Sequence, residues 1–191
     1  GNYTYKWQIR YNSGTWSIIL NATALSYSPG ILTAGTYEYR RIVNDGCGSD
    51  TSNIISLTQY DQLLVGTTTG GNTSICYGQN GGTLNSPAAT GGAPGTTYQW
   101  QQSIDGGIIW TDIIGQTTFT YPIGPLFDTT SFRIAVFNTC DTIFGNIKTI
   151  NVSPLFIEGM ATLLGSDSIC PNIDPGIITA TPATGGVTGT T

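Results

Sequence analysis

The side chains that do most of the chemistry in proteins are scarce here, and one of them is missing. There is no histidine, so the commonest general base and the commonest transition-metal ligand are both absent. Glu38 and Glu158 are the two glutamates, and Asp105, Asp112, Asp128 and Asp141 stand singly at turn-like positions. Glycoside hydrolysis needs two carboxylates held at a set separation. Calcium needs about 6–8 oxygens, usually from clustered carboxylates, and no Asp-x-Asp-x-Asp run exists. Gly70-Gly71 and Gly91-Gly92 lack the Lys-Ser/Thr of a phosphate loop and read as turns. The expectation is a protein that is not an enzyme, with no catalytic residues, no metal and no cofactor.

Cys47, Cys76, Cys140 and Cys170 are the remaining reactive groups, and none sits in a C-x-x-C pair of the kind that holds zinc or exchanges disulfides. Four tryptophans offer either core packing or sugar stacking.

Partners are bounded by charge. Lys6, Arg10, Arg40, Arg41, Arg133 and Lys148 are the only basic residues, against a net charge of −5. That leaves no basic stripe for nucleic acid and little attraction to anionic lipid. No apolar run approaches the roughly 20 residues of a spanning helix, so no membrane insertion is expected. Without an initiator Met or a signal peptide, Gly1 reads as an internal start, and the chain as a piece that continues in both directions.

The elements that position these residues follow from composition and self-similarity. Charged residues are only 9% and aromatics 10%, and Thr, Val, Ile, Tyr and Trp lie between Gly- and Asn-rich punctuation. That is the composition of many short strands. Tyr5-Lys6-Trp7-Gln8 returns as Tyr98-Gln99-Trp100-Gln101, Trp16 as Trp110, Tyr27 as Tyr121, and Tyr39-Arg40 as Phe132-Arg133. Cys47 returns as Cys140, Ser74-Ile75-Cys76 as Ser168-Ile169-Cys170, and Thr90-Gly91-Gly92 as Thr184-Gly185-Gly186. The period is about 93 residues. Residues 1–60 then form the C-terminal part of one repeat, 61–153 a complete repeat, and 154–191 the N-terminal part of the next.

Turn signals every 8–12 residues or so in the complete repeat predict an all-β fold of tandem immunoglobulin-like β-sandwich repeats. Strands are expected near Thr83–Asn85, Thr97–Ser103, Ile108–Trp110, Thr118–Tyr121, Ser131–Phe137 and Asn146–Val152. Alternation puts Tyr98 and Trp100 on one face, making Trp100 and its counterpart Trp7 core aromatics. Trp16 and Trp110 lie beside turns, where either packing or an exposed stacking role is open. Arg40 and Arg133 share a strand position suited to stacking beside an aromatic.

If the first strand of a sandwich begins near the end where the last hairpin turns, Cys76 and Cys140 meet in a disulfide, with Cys47 and Cys170 paired outside this stretch. Cys47–Cys76 pairing and reduced thiols are the competing arrangements. A loop of about 65 residues closed in this way is worth roughly 4 kcal/mol in the chain-entropy model, and the bond implies an exported protein.

The pattern Ser-Ile-Cys … Thr-Gly-Gly … Tyr-Gln-Trp-Gln-x-Ser-x-Asp … Trp-x-Asp-Ile-x-Gly-x-Thr … Thr-Thr-x-Phe-Arg … Cys … Asn across residues 74–146 resembles the immunoglobulin-like repeats of giant Bacteroidota cell-surface proteins. These include SprB-like adhesins of gliding motility, exported by type 9 secretion. The resemblance implies an extracellular, outer-membrane-attached protein whose repeats form a stalk or filament. The implied partners are neighbouring repeats, gliding or secretion machinery in the outer membrane, and surface polysaccharide or other cells reached through a distant tip. It also implies O-glycosylation at Asp-Ser/Thr-aliphatic sequons, here Thr142 and Ser168. The rival reading is a polysaccharide-binding module using exposed aromatics such as Trp110 and Tyr121.

Overall fold

The computed structural model describes residues 2–186, and among them the chain is all β, with no helix. Two compact units are present. The first takes in the chain as far as Leu64, together with Thr90–Thr96 and Asn138–Asp141. Its strands are β1 (Thr4–Tyr11), β2 (Ser17–Ile18), β3 (Gly35–Asn44), β4 (Ser49–Thr51) and β5 (Ile55–Gln59). They make one sheet ordered β2-β1-β3-β4, with β5 also on β3. β1 and β3 pair antiparallel from Thr4↔Asn44 to Tyr11↔Tyr37. The alternating aromatics of both strands, notably Tyr37 and Tyr39, pack on one face of this ladder.

The second unit contains β6 (Thr69–Gly70), β7 (Ser74–Cys76), β8 (Asn80–Asn85), β9 (Thr97–Ser103), β10 (Thr111–Asp112), β11 (Thr120–Pro125), β12 (Thr130–Phe137), β13 (Thr142–Phe144) and β14 (Lys148–Ser153). One sheet is ordered β11-β8-β6; the other is β10-β9-β12-β14-β7, with β13 on β12. The first stretch of the repeat is therefore split between sheets. β6 pairs β8 antiparallel, and β7 crosses to pair β14 in parallel, from Ser74↔Asn151 to Cys76↔Ser153. This two-sheet arrangement is immunoglobulin-like. The core lies between the sheets, where Leu84 and Ile123 of one meet Trp100, Phe132, Ile134 and Ile150 of the other, all at most 4% exposed.

β15 (Ala161–Leu164) and β16 (Ile177–Ala180) pair from Ala161↔Ala180 to Leu164↔Ile177. They are the counterparts of β6 and β8, which pair Thr69↔Asn85. The isolated bridges Leu64↔Thr90 and Ile157↔Thr184 repeat likewise. So do the hydrogen bonds donated by Gly92 N–H to the Asp61 carbonyl and by Gly186 N–H to the Pro154 carbonyl, both 2.9 Å.

Two expected strands move. Ile108–Trp110 is loop, and β10 starts after it at Thr111. The reason is Asp105, whose carboxylate accepts the Ser103 hydroxyl at 2.6 Å and the Ile108 and Ile109 amides at 3.0 Å. Those amides serve a side chain and are not free for a ladder. The strand expected at Thr118–Tyr121 forms instead as Thr120–Pro125, because Thr118 is committed through its carbonyl to the Trp100 indole N–H at 2.9 Å.

Candidate functional site

The surface feature that recurs at equivalent positions is an arginine laid on a tryptophan. In the second unit, Arg133 of β12 lies 4.2 Å from the Trp110 ring centre and 3.9 Å from that of Phe144. Its Nε donates to Gln101 of β9 at 2.8 Å. In the first unit, Arg40 of β3 lies 4.2 Å from the Trp16 ring centre, and its Nε donates to Gln8 of β1 at 2.8 Å. Cross-strand pairing (Arg133↔Gln101, Arg40↔Gln8) creates both contacts. Partial burial of the Arg133 guanidinium lowers its pKa. The shared arginine position is thus a packing device. Replacing Arg133 by Lys is expected to lower stability by about 1 kcal/mol, since an ammonium loses the planar stack and the directed bond. A urea midpoint measurement checks this.

The same contacts bear on sugar stacking. Trp110 is half-buried, has one face under Arg133, and donates its indole N–H to the Gly107 carbonyl at 2.9 Å. Tyr121 is half-buried too, its ring 5.8 Å from both Trp100 and Phe132. Neither presents a free flat platform.

Trp100 is fully buried and donates to the Thr118 carbonyl at 2.9 Å. Trp7 makes the equivalent bond to the Ala24 carbonyl at 3.0 Å and packs 6.1 Å from Tyr27, but is only half-buried. The core role expected of both holds in full for Trp100 alone.

The cysteines correct an expectation. All four are free and exposed, and Cys76 is not brought to Cys140. β7 runs parallel to β14, so Cys76 lies opposite Ser153, past the point where Ile150 pairs with Thr130 at the start of β12. Cys140 follows the other end of β12 at Phe137. Eight residues of strand separate those ends, about 25 Å, whereas a disulfide needs Cα atoms within roughly 7 Å. The assumption about where the first strand begins fails because that strand's second half pairs with β14 in parallel. Cys47 and Cys170 occupy the matching turns in their own repeats.

Thr142, at the start of β13, and Ser168 are both exposed. Among the described residues no group of three or more His, Cys, Asp or Glu gathers as a metal site. None of the helices required for a membrane span is present among the described residues.

Asp105 lies below the ordinary carboxylate value. The Ser103 hydroxyl is the main cause and the Ile109 amide the next, with burial opposing. Its folded pKa is below the unfolded value of about 3.9. The stabilisation is therefore complete above about pH 4 and is lost as pH falls through the lower folded value. Asp105→Ala is expected to lower the melting temperature near neutrality and to flatten its fall below about pH 4. Glu38, held low by Arg10, and Asp45, held low by the Cys47 and Gly48 amides, keep the rest of the acid slope. Calorimetry across pH reads both effects.

Among solved structures, the FN1-FN3 domains of chicken CNTN1 are similar at 14% identity and a TM-score of 0.30, over 85% of this chain and 63% of that one. The chain therefore spans less than two thirds of the length of that structure. No curated protein sequence matches. The family described as "Domain of unknown function (DUF8696)" matches residues 1–60 and again 65–154, and the chain belongs to that family.

Proposed function

We propose that this chain is a segment of a stalk or filament built from tandem immunoglobulin-like repeats, belonging to a large bacterial surface adhesin. The observation that supports it is the joint between repeats. β14 ends at Ser153, and the Pro154 carbonyl already accepts the Gly186 amide at 2.9 Å. The same bond, from Gly92 to Asp61, opens the preceding repeat two residues after β5 ends at Gln59. A chain passed from one sandwich to the next without a free linker favours stiff joints. Length then grows by one unit per repeat, at roughly 35–45 Å each on strand-rise grounds.

The half-buried, arginine-covered aromatics favour this reading over a polysaccharide-binding module. Export and cell-surface attachment rest on the resemblance of the repeat pattern, as do an adhesive tip and the glycans at Thr142 and Ser168. The test is protease treatment of intact cells combined with small-angle scattering of fragments holding increasing numbers of repeats. Cleavage without lysis and a constant increment in maximum dimension are expected. Protection in intact cells, or dimensions that do not grow with repeat number, would overturn the proposal. Intact mass without hexose additions would remove the glycans alone.

A further inference from the structure

The four cysteines sit in two kinds of hydrogen-bonded turn. Cys76 opens a turn closed by the Gln79 amide donating to its carbonyl at 3.1 Å, with Gly78 at φ +75°. Cys170 opens the same turn, with Ile173 donating to its carbonyl at 3.3 Å and Asn172 at φ +65°. Pro171 precedes that Asn, which is the type II signature. Cys140 sits in the other turn, where the Asn138 side-chain oxygen accepts the Cys140 and Asp141 amides at 2.8 Å. Cys47 sits likewise over Asp45, which accepts the Cys47 and Gly48 amides at 2.9 Å. Both turns are held by backbone-directed bonds, and all four sulfurs are exposed.

Cys76 borders an apolar surface. It lines a cleft of about 370 Å³ with Tyr77, Pro154, Leu155, Phe156 and Gly186. Gly186 is the counterpart of Gly92, and Phe156 that of Leu63. A Cβ on Gly92 would run into the Asn138 side-chain amide and into Leu63. The hairpin that bears Cys140 therefore packs on Gly92 and Leu63, and Leu63 is only 1% exposed. Beside Cys76, by contrast, Phe156 is 64% exposed, and Leu155 and Ile157 are also open. A hairpin seated on Gly186 and Phe156 as the Cys140 hairpin is seated on Gly92 and Leu63 would cover this apolar surface. It would also bring its own cysteine to the cleft that Cys76 lines.

We propose that consecutive repeats are joined end to end by a disulfide, from the Cys76-type turn of one repeat to the Cys140-type hairpin of the next. Cys76 takes the hairpin cysteine of the repeat that begins at Pro154, and Cys140 takes the turn cysteine of the repeat before its own. The inference rests on the reading of the chain as part of a repeat array. The bond forms by exchange with a small-molecule or protein disulfide. One cysteine thiolate attacks that donor and displaces a thiol; the second attacks the mixed disulfide and displaces the other. Two cysteine thiols are oxidised to one disulfide, and one donor disulfide is reduced to two thiols.

The test completes the third repeat by fusing a second copy of Tyr98–Ser153 after Thr191. Cys47→Ser, Cys140→Ser and Cys170→Ser in the original segment leave Cys76 and the added hairpin cysteine as the only thiols. After incubation with oxidised glutathione, non-reducing peptide mapping is expected to find most of the fusion with these two linked within one molecule. A fusion whose added sandwich is folded by amide exchange, yet keeps both thiols free, would overturn the proposal and leave the stalk reading standing. A second measurement does not depend on that fold. Peptide mapping of the protein from its own cells, with thiols alkylated before lysis, is expected to find Cys76 and Cys140 each bonded to the opposite type of turn. Alkylated Cys76 and Cys140, or a bond between the two, would overturn it.

Discussion

Trp100→Ala is expected to lower the unfolding free energy by about 3–5 kcal/mol, the usual cost of emptying a large aromatic site in a core. That is a large share of the roughly 5–15 kcal/mol that keeps a domain folded. The reason is local and complete. Trp100 has no exposed surface, its indole N–H is spent on the Thr118 carbonyl, and its ring packs 5.8 Å from Tyr121. Truncation leaves a cavity bounded by both sheets and an unpaired carbonyl besides. Trp7→Ala removes the equivalent side chain from a half-buried site and should cost clearly less. Urea unfolding of the two variants, followed by far-ultraviolet circular dichroism, gives the comparison. Equal losses would mean that the contact with the neighbouring tyrosine, Tyr121 at Trp100 and Tyr27 at Trp7, and not enclosure between sheets, sets the energy.

Gly92→Val is the second large effect, at about 2–5 kcal/mol. Its φ of +73° is a left-handed conformation that costs an L-residue about 1–2 kcal/mol. The added Cβ meets the Asn138 amide and lies 2.9 Å from a Leu63 methyl, an overpacking worth about 1–3 kcal/mol. Gly95→Val separates the two contributions, because Gly95 has φ +86° and nothing within 4 Å of a Cβ. It should lose only the backbone part. A Gly92 variant no worse than the Gly95 variant would show that the Cys140 hairpin yields freely to a side chain, and would weaken the seating argument for the inter-repeat bond.

The all-β class and the period of about 93 residues were legible in the chain, because repeated spacing of aromatics and turn residues is a one-dimensional property. β9 falls on Thr97–Ser103 as alternation predicts, and Trp100 faces the core for the same reason. The Arg133–Trp110 stack was legible only as a type of contact. The two residues are 23 apart in sequence, and they meet because β9 carries β12 on one edge and β10, which starts directly after Trp110, on the other. Trp16 and Trp110 show the limit of proximity to a turn as a signal, since it leaves exposure undecided until the arginine on the next strand is placed.

The cysteines mark the boundary most sharply. Their types, their recurrence and the absence of a C-x-x-C pair are all in the sequence. Which end of the sandwich each occupies depends on the direction in which Ser74–Cys76 pairs, and parallel and antiparallel pairing of a three-residue strand carry the same hydrophobic pattern. The repeat, the strand-rich class and the buried tryptophan are legible along the chain, because spacing and alternation are properties of residue order alone. That β7 leaves β6's sheet to run parallel to β14 emerges only when the chain is folded. That choice is made by contacts between residues 78 positions apart, such as the Asn151 amide on the Thr73 carbonyl at 3.0 Å, and it sends Cys76 and Cys140 to opposite ends of one ladder.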